Sequence, residues 1–135
     1  MAIAATEPGS LVALTLPSTP YSVQMARCYI RAALKYHELG DYAEDAETVT
    51  SEFATNAVEH ASGPQFGLEV IRLARRNAIV VIVTDASPSP PVRNDPSEDT
   101  EQGRGLNIVE SLSTSWGWRP ENPGKAVYAI LTREA

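Results

Sequence analysis

Residues 52–60 read Glu-Phe-Ala-Thr-Asn-Ala-Val-Glu-His, and the rest of the chain is best interpreted outward from this stretch. A helix turns by about 100° per residue, so Glu52, Asn56 and His60 fan over roughly 80° of one helix face. The intervening positions are mainly apolar and predict a core-facing side. Polar groups that are buried on such a helix cost free energy unless they are paired. Two interpretations stay open: a site for a hard cation beside a proton-accepting carboxylate, or a solvated stripe on a surface helix.

A second feature is an apolar run that ends in an acid. Residues 78–84 read Ala-Ile-Val-Val-Ile-Val-Thr, and Asp85 and a Ser/Pro-rich turn follow them. The run predicts a buried central strand, because it is apolar almost without interruption. Asp85 then stands at a strand end, where ligands commonly bind, and its carboxylate could accept hydrogen bonds from an exocyclic amine such as that of adenine. The alternative is that Asp85 only begins a turn.

A third feature is a pair of glycines that bracket an arginine. Gly103, Arg104 and Gly105 stand just before Leu106, where a helical pattern is predicted to begin. Glycine lets the backbone approach a ligand closely, and the free N–H groups of a helix N-terminus favour an anion such as phosphate. The alternative is an ordinary flexible loop. The pattern matches neither a P-loop nor a dinucleotide fingerprint.

These three features, in this order, resemble the GHKL ATP-binding domain, whose architecture is called the Bergerat fold. The chain is most similar to the anti-sigma factor branch of serine-protein kinases, in its stand-alone actinobacterial form. Motifs that carry this closer resemblance are Asp85–Pro88 with Pro91, Trp116–Trp118 and Gly124–Tyr128. The resemblance spans about Leu11 to Leu131.

The resemblance implies a role for each motif residue. Glu52 would be the general base that takes the proton of an attacking hydroxyl, and Asn56 would ligate the Mg²⁺ that bridges the phosphates of ATP. Asp85 would bind the adenine amine. Gly103 and Gly105 would cradle the phosphates with their backbone N–H groups, and Arg104 would add a charged contact. Leu106 would open the following helix and complete the nucleotide site. His60 stands at the family's position without an implied role, and a plain helix-end histidine is the alternative.

The function that the resemblance implies is that of an ATP- and Mg²⁺-dependent serine/threonine-protein kinase. It would act as an anti-sigma factor in a partner-switching system and phosphorylate a serine of an anti-sigma antagonist. Its partners would be a sigma factor, the antagonist or both, and homodimers are common in the family. The alternative is a non-catalytic nucleotide-binding regulatory module that sequesters a partner. Two residues depart from the family's pattern: Ser87 replaces a favoured glycine, and Ala126 replaces a usual hydroxyl.

A basic stripe on the first predicted helix is a candidate surface for such a partner. Arg27, Arg31 and Lys35 are spaced by four residues and therefore share one helix face. An acidic partner could dock there, and a solvated helix face is the alternative.

Composition indicates one domain, predicted at residues 10–133, with a flexible N-terminus at residues 1–9. The 135-residue chain is 43% hydrophobic, which is enough for a single core. Its net charge of −6 argues against a general nucleic-acid or anionic-membrane partner. The single cysteine, Cys28, excludes an internal disulfide. No secretory signal or membrane span is predicted, so we expect a cytoplasmic protein.

The predicted fold class is α/β: a two-layer sandwich of a mixed, mostly antiparallel sheet with helices on one face. Helices are predicted at residues 21–39, 43–60 and 106–113. The resemblance implies an ATP lid at residues 88–102, and an ordinary exposed loop is the alternative. The predicted strands are residues 10–16, 66–74, 78–84, 115–119 and 125–132.

Overall fold

The structure is a computed structural model that describes residues 9–60, 63–91 and 101–133, with side chains at all of these positions except 75 and 101–105. In chain order the strands and helices are β1 (Ser10–Pro17), α1 (Pro20–Tyr36), α2 (Ala43–His60), β2 (Gln65–Leu73), β3 (Ala78–Asp85), α3 (Glu101–Leu112), β4 (Ser115–Pro120) and β5 (Lys125–Thr132). Single 3₁₀ turns at Gly40–Tyr42 and Ala74–Arg76 precede α2 and β3.

The strands form one sheet in the order β1-β2-β3-β5-β4, and every pair of neighbours in it is antiparallel. The central strand is β3, as its apolar sequence predicts. The predicted α/β fold class is confirmed, but the described sheet is wholly antiparallel rather than mixed. Two neighbouring strands are parallel only if a crossover connection lets the second strand run in the same direction as the first. All four described pairs of neighbouring strands run in opposite directions.

The core lies between the helices and one face of the sheet. Alternate strand residues such as Leu68, Val81 and Ala129 are buried on that face, because successive side chains of a strand point to opposite sides. Helix residues such as Ile30 and Val49 pack into the same cluster. This produces the two predicted layers. Among the described helices, none has the length and apolarity that a membrane crossing requires.

Most predicted boundaries agree with the structure to within two residues, and α2 and β5 agree at both ends. The first helix stops three residues early, at Tyr36, because Glu38 has a positive φ of 61° that ends the helical path. The third helix begins at Glu101 rather than Leu106, so its predicted start was wrong. Glycine costs only about 1 kcal/mol in a helix, less than the burial of Leu106 and Val109 can supply. Residues 1–8 of the predicted flexible terminus and residues 92–100 of the predicted lid lie outside the described residues.

Candidate functional site

A cavity of about 170 Å³ opens where β3 ends and β5 begins, beside the second half of α2. Its walls combine an apolar surface with a few polar groups, the usual composition of a small-molecule site. The lining residues are Phe53, Asn56, His60, Asp85, Ser87, Ser89, Pro90, Pro91, Lys125 and Val127.

Asp85 lies at the inner end of this cavity with its side chain only 5% exposed. Its Oδ1 atom accepts a hydrogen bond of 2.9 Å from the backbone N–H of Ser87, which is the Asx turn that aspartate favours after a strand. The same oxygen lies 3.1 Å from the Nζ of Lys125. Asp85 therefore begins a turn and also faces a cavity, so the two interpretations of its sequence position are compatible.

Lys125 is a buried cation that belongs to the Gly124–Tyr128 motif, to which the sequence assigns no role in the site. It is the first residue of β5 and stands directly opposite Asp85 in the pairing of β3 with β5. Its side chain is 6% exposed, and its Nζ also lies 3.5 Å from the carbonyl oxygen of Ser87. The available signal was a lone charge at the start of an apolar strand, but its partner lies 40 residues away.

Gly124 brings Lys125 to this position. Its φ is +89°, a conformation that side-chain-bearing residues rarely adopt. A Cβ at this position would lie 1.8 Å from the carbonyl oxygen of Asp85, so only glycine lets the start of β5 run against the end of β3. The Gly-Lys pair thus belongs to the architecture of the cavity.

Helix α2 supplies the outer wall. Asn56 and His60 line the cavity, and the buried ring of Phe53 adds apolar surface. Glu52 is half-buried one helical turn before Asn56, and it is not among the residues that line the cavity. His60 Nε2 lies 3.9 Å from Glu59 Oε2 at the helix end. The structure therefore brings Asn56, His60 and Asp85 together and leaves Glu52 beside them.

The glycine motif lies in the first turns of α3. Gly103, Arg104 and Gly105 are helical, and the structure describes only the backbone at these positions. The backbone N–H groups of the first four helical residues have no partner within their own helix. Leu106 is fully buried in the core, so its side chain serves packing rather than the cavity.

The described residues suit the base of a nucleotide better than its phosphates. The apolar walls and the carboxylate of Asp85 fit a flat ring that carries an amine. The volume of 170 Å³ is below the roughly 300–1,000 Å³ of complete ligand pockets, so the described cavity can enclose only part of a nucleotide. Within the described ranges, no cluster of three or more His, Cys, Asp or Glu residues could hold a metal by itself.

Comparison with known proteins gives one match. The family model of the histidine kinase-like ATPase domain matches residues 16–131, which is most of the chain. A search of curated proteins gave no significant match. The matched span runs from Leu16 near the end of β1 to Leu131 near the end of β5 and includes every residue of the cavity.

Proposed function

The chain belongs to the histidine kinase-like ATPase domain family, and we propose that it is a serine-protein kinase that acts as an anti-sigma factor. In this proposal the protein binds Mg²⁺ and ATP and transfers the γ-phosphate to a serine of an anti-sigma antagonist. Phosphorylation of the antagonist then sets whether the protein holds its sigma factor.

The observation that supports the proposal is that Asn56 of α2 and Asp85 of β3 line one cavity. These residues are 29 positions apart in the sequence, and each belongs to a different sequence feature that predicts a ligand site. An acceptor for the adenine amine and an amide oxygen for the metal are what a Mg-ATP site of this family requires. In addition, α3 carries the glycine motif at its N-terminal end, and the N-terminus of a helix favours anions.

In the proposed reaction the protein acts mainly by positioning and by neutralising charge, as in phosphoryl transfer generally. Asp85 orients the base, and Asn56 holds the Mg²⁺, which offsets the negative charge of the phosphates. Glu52 accepts the proton of the serine hydroxyl as that oxygen attacks. Its place one turn from Asn56, outside the lining of the base cavity, suits a group that must approach the γ-phosphate rather than adenine.

The exposed face of α1 is the proposed partner surface. Arg27, Arg31 and Lys35 are all exposed, as their spacing predicts. Arg31 already has a partner within the fold, because its Nη2 atom lies 2.6 Å from Oε2 of the nearly buried Glu47 side chain. Arg27 and Lys35 remain as the charges that an acidic partner would meet, and neither has an ion pair among the described residues.

The second candidate is the non-catalytic module that binds a nucleotide and sequesters a partner. One observation favours it: position 126 carries a buried alanine instead of a hydroxyl. The two candidates share the nucleotide site and differ only in phosphoryl transfer.

The substitution Glu52→Gln separates the two candidates. It keeps the size of the side chain and removes the base, so we expect unchanged ATP binding and a loss of transfer of about 100-fold or more. The assay uses γ-labelled ATP and purified candidate antagonists from the same genome, with phosphoserine identified by mass spectrometry. Glu59→Gln is the matched control, because Glu59 is an exposed acid on the same helix.

Retained transfer by Glu52→Gln would remove Glu52 from the base role. No transfer by the unmodified protein to any candidate, with ATP still bound, would favour the non-catalytic module.

A further inference from the structure

The proposed function leaves Lys125 unused, although it is the one described lysine that lies in the cavity. An ammonium with a 6% exposed side chain has lost nearly all contact with water. Such a charge is costly to bury unless it is paired, and a buried pair often contributes no more stability than well-packed apolar residues would. The neighbouring positions of β5 are apolar. Stability of the fold therefore gives no reason for a lysine at position 125.

The hydrogen bonds of the pair leave one donor and one acceptor for a ligand. A lysine ammonium has three N–H groups, and its described acceptors are Asp85 Oδ1 at 3.1 Å and the Ser87 carbonyl oxygen at 3.5 Å. Among the described residues, this leaves one N–H group of Lys125 for a ligand in the cavity. On Asp85, both described hydrogen bonds fall on Oδ1, from Ser87 and from Lys125, so Oδ2 is the oxygen available to a ligand.

A ligand that satisfies both groups must carry a donor next to an acceptor. The Watson–Crick edge of adenine has this pattern, since the 6-amino group donates and the adjacent ring atom N1 accepts. We propose that Lys125 donates a hydrogen bond to N1 of the base while Asp85 accepts one from the 6-amino group. This inference rests on the proposed function, because it requires ATP in the cavity. It makes Lys125 a specificity-determining residue rather than a support for Asp85 alone.

The test compares nucleotides that differ by one ring atom. In 1-deaza-ATP the acceptor N1 is replaced by a C–H group, whereas 7-deaza-ATP keeps N1 and loses an acceptor elsewhere. Titration calorimetry of the unmodified protein in the presence of Mg²⁺ should show 1-deaza-ATP binding roughly 10- to 100-fold more weakly than ATP, because a buried charged donor loses its partner. The affinity for 7-deaza-ATP should stay close to that for ATP.

The variant Lys125→Met assigns the effect to this residue. It should bind ATP more weakly than the unmodified protein and bind ATP and 1-deaza-ATP equally. Lys35→Met is the matched control, because Lys35 is the other lysine of the chain and is exposed on α1. This control should discriminate between the two nucleotides as the unmodified protein does.

Equal discrimination by Lys125→Met and the unmodified protein would overturn the inference, and so would equal binding of 1-deaza- and 7-deaza-ATP by the unmodified protein. The second comparison needs no variant and decides the matter even if Lys125→Met fails to fold. Failure to bind ATP at all would overturn the nucleotide-binding function together with the inference. Binding of ATP without the N1 effect would overturn the inference alone.

Discussion

At the scale of single residues, the end of β3 and the start of β5 are joined by an ion pair, Asp85 with Lys125, that is almost completely buried. Removal of one member leaves the other charge without a partner in a poorly solvated place. The carboxylate that we propose for base recognition is therefore also the counter-ion of a buried lysine. Loss of nucleotide binding by a variant of Asp85 has to be separated from loss of folding.

The substitution Asp85→Asn should lower the free energy of unfolding by about 3–5 kcal/mol, because Lys125 keeps its charge and loses its counter-ion. In a Lys125→Met background the same substitution should cost much less, since no buried cation remains. Urea denaturation followed by circular dichroism measures both values, and the two single variants and the double variant form a thermodynamic cycle. An equal loss of stability in the two backgrounds would show that the pair is not coupled.

At the scale of secondary-structure elements, α2 carries both core and site. Phe53, Ala54 and Ala57 are buried, while Asn56 faces the cavity. One polar residue of this helix is exceptional: the hydroxyl of Thr50 is fully buried and has no hydrogen-bond partner among the described residues. Such a group has lost its water without replacement.

The substitution Thr50→Val should therefore stabilise the protein by about 1 kcal/mol. Valine keeps the branched shape and a similar helix propensity, so the change mainly removes an unsatisfied hydroxyl. The control is Thr48→Val, because the exposed Thr48 hydroxyl donates to the carbonyl oxygen of Glu44 and its removal should change stability by less than about 0.5 kcal/mol. Thermal or urea unfolding measures both. A clear destabilisation by Thr50→Val would show that the hydroxyl makes a bond in solution.

The elements also show what the sequence can predict. The bounds of α2 and β5 and the central place of β3 follow from periodicity and apolar runs, which are local signals. The early start of α3 was missed because two glycines weaken a helical pattern that tertiary packing of Leu106 and Val109 restores. Lys125 was missed for another reason. Its partner is fixed by the pairing of β3 with β5, and no local pattern records which strands become neighbours.

At the scale of the whole molecule, the two ends of the sheet have different tasks. One end holds the cavity, with Asp85 and Lys125. At the other end Arg133 follows β5 and donates to the carbonyl oxygen of Asp41 at 2.8 Å and to Asp45 at 3.1 Å, and Tyr42 donates to the carbonyl oxygen of Asn77 at 2.7 Å. The bonds of Arg133 connect the end of β5 to the residues just before α2 and in its first turn.

The net charge of −6 is compatible with a site for an anion only if local groups offset it. In the proposed site these groups would be the N-terminus of α3 and a Mg²⁺ that Asn56 would hold. Metal dependence should therefore be strong, because the rest of the molecule repels ATP. The Mg²⁺ dependence of ATP binding is therefore the most direct test of the proposed nucleotide site.

The decisive measurement is a calorimetric titration with ATP, with and without Mg²⁺, of the unmodified protein, Asn56→Ala and the control Gln24→Ala, whose amide is exposed on α1. A Mg-ATP site that includes Asn56 predicts Mg²⁺-dependent binding of ATP by the unmodified protein and by Gln24→Ala, and loss of that binding in Asn56→Ala. No binding by the unmodified protein at millimolar ATP, or the same Mg²⁺-dependent binding in Asn56→Ala, would contradict it.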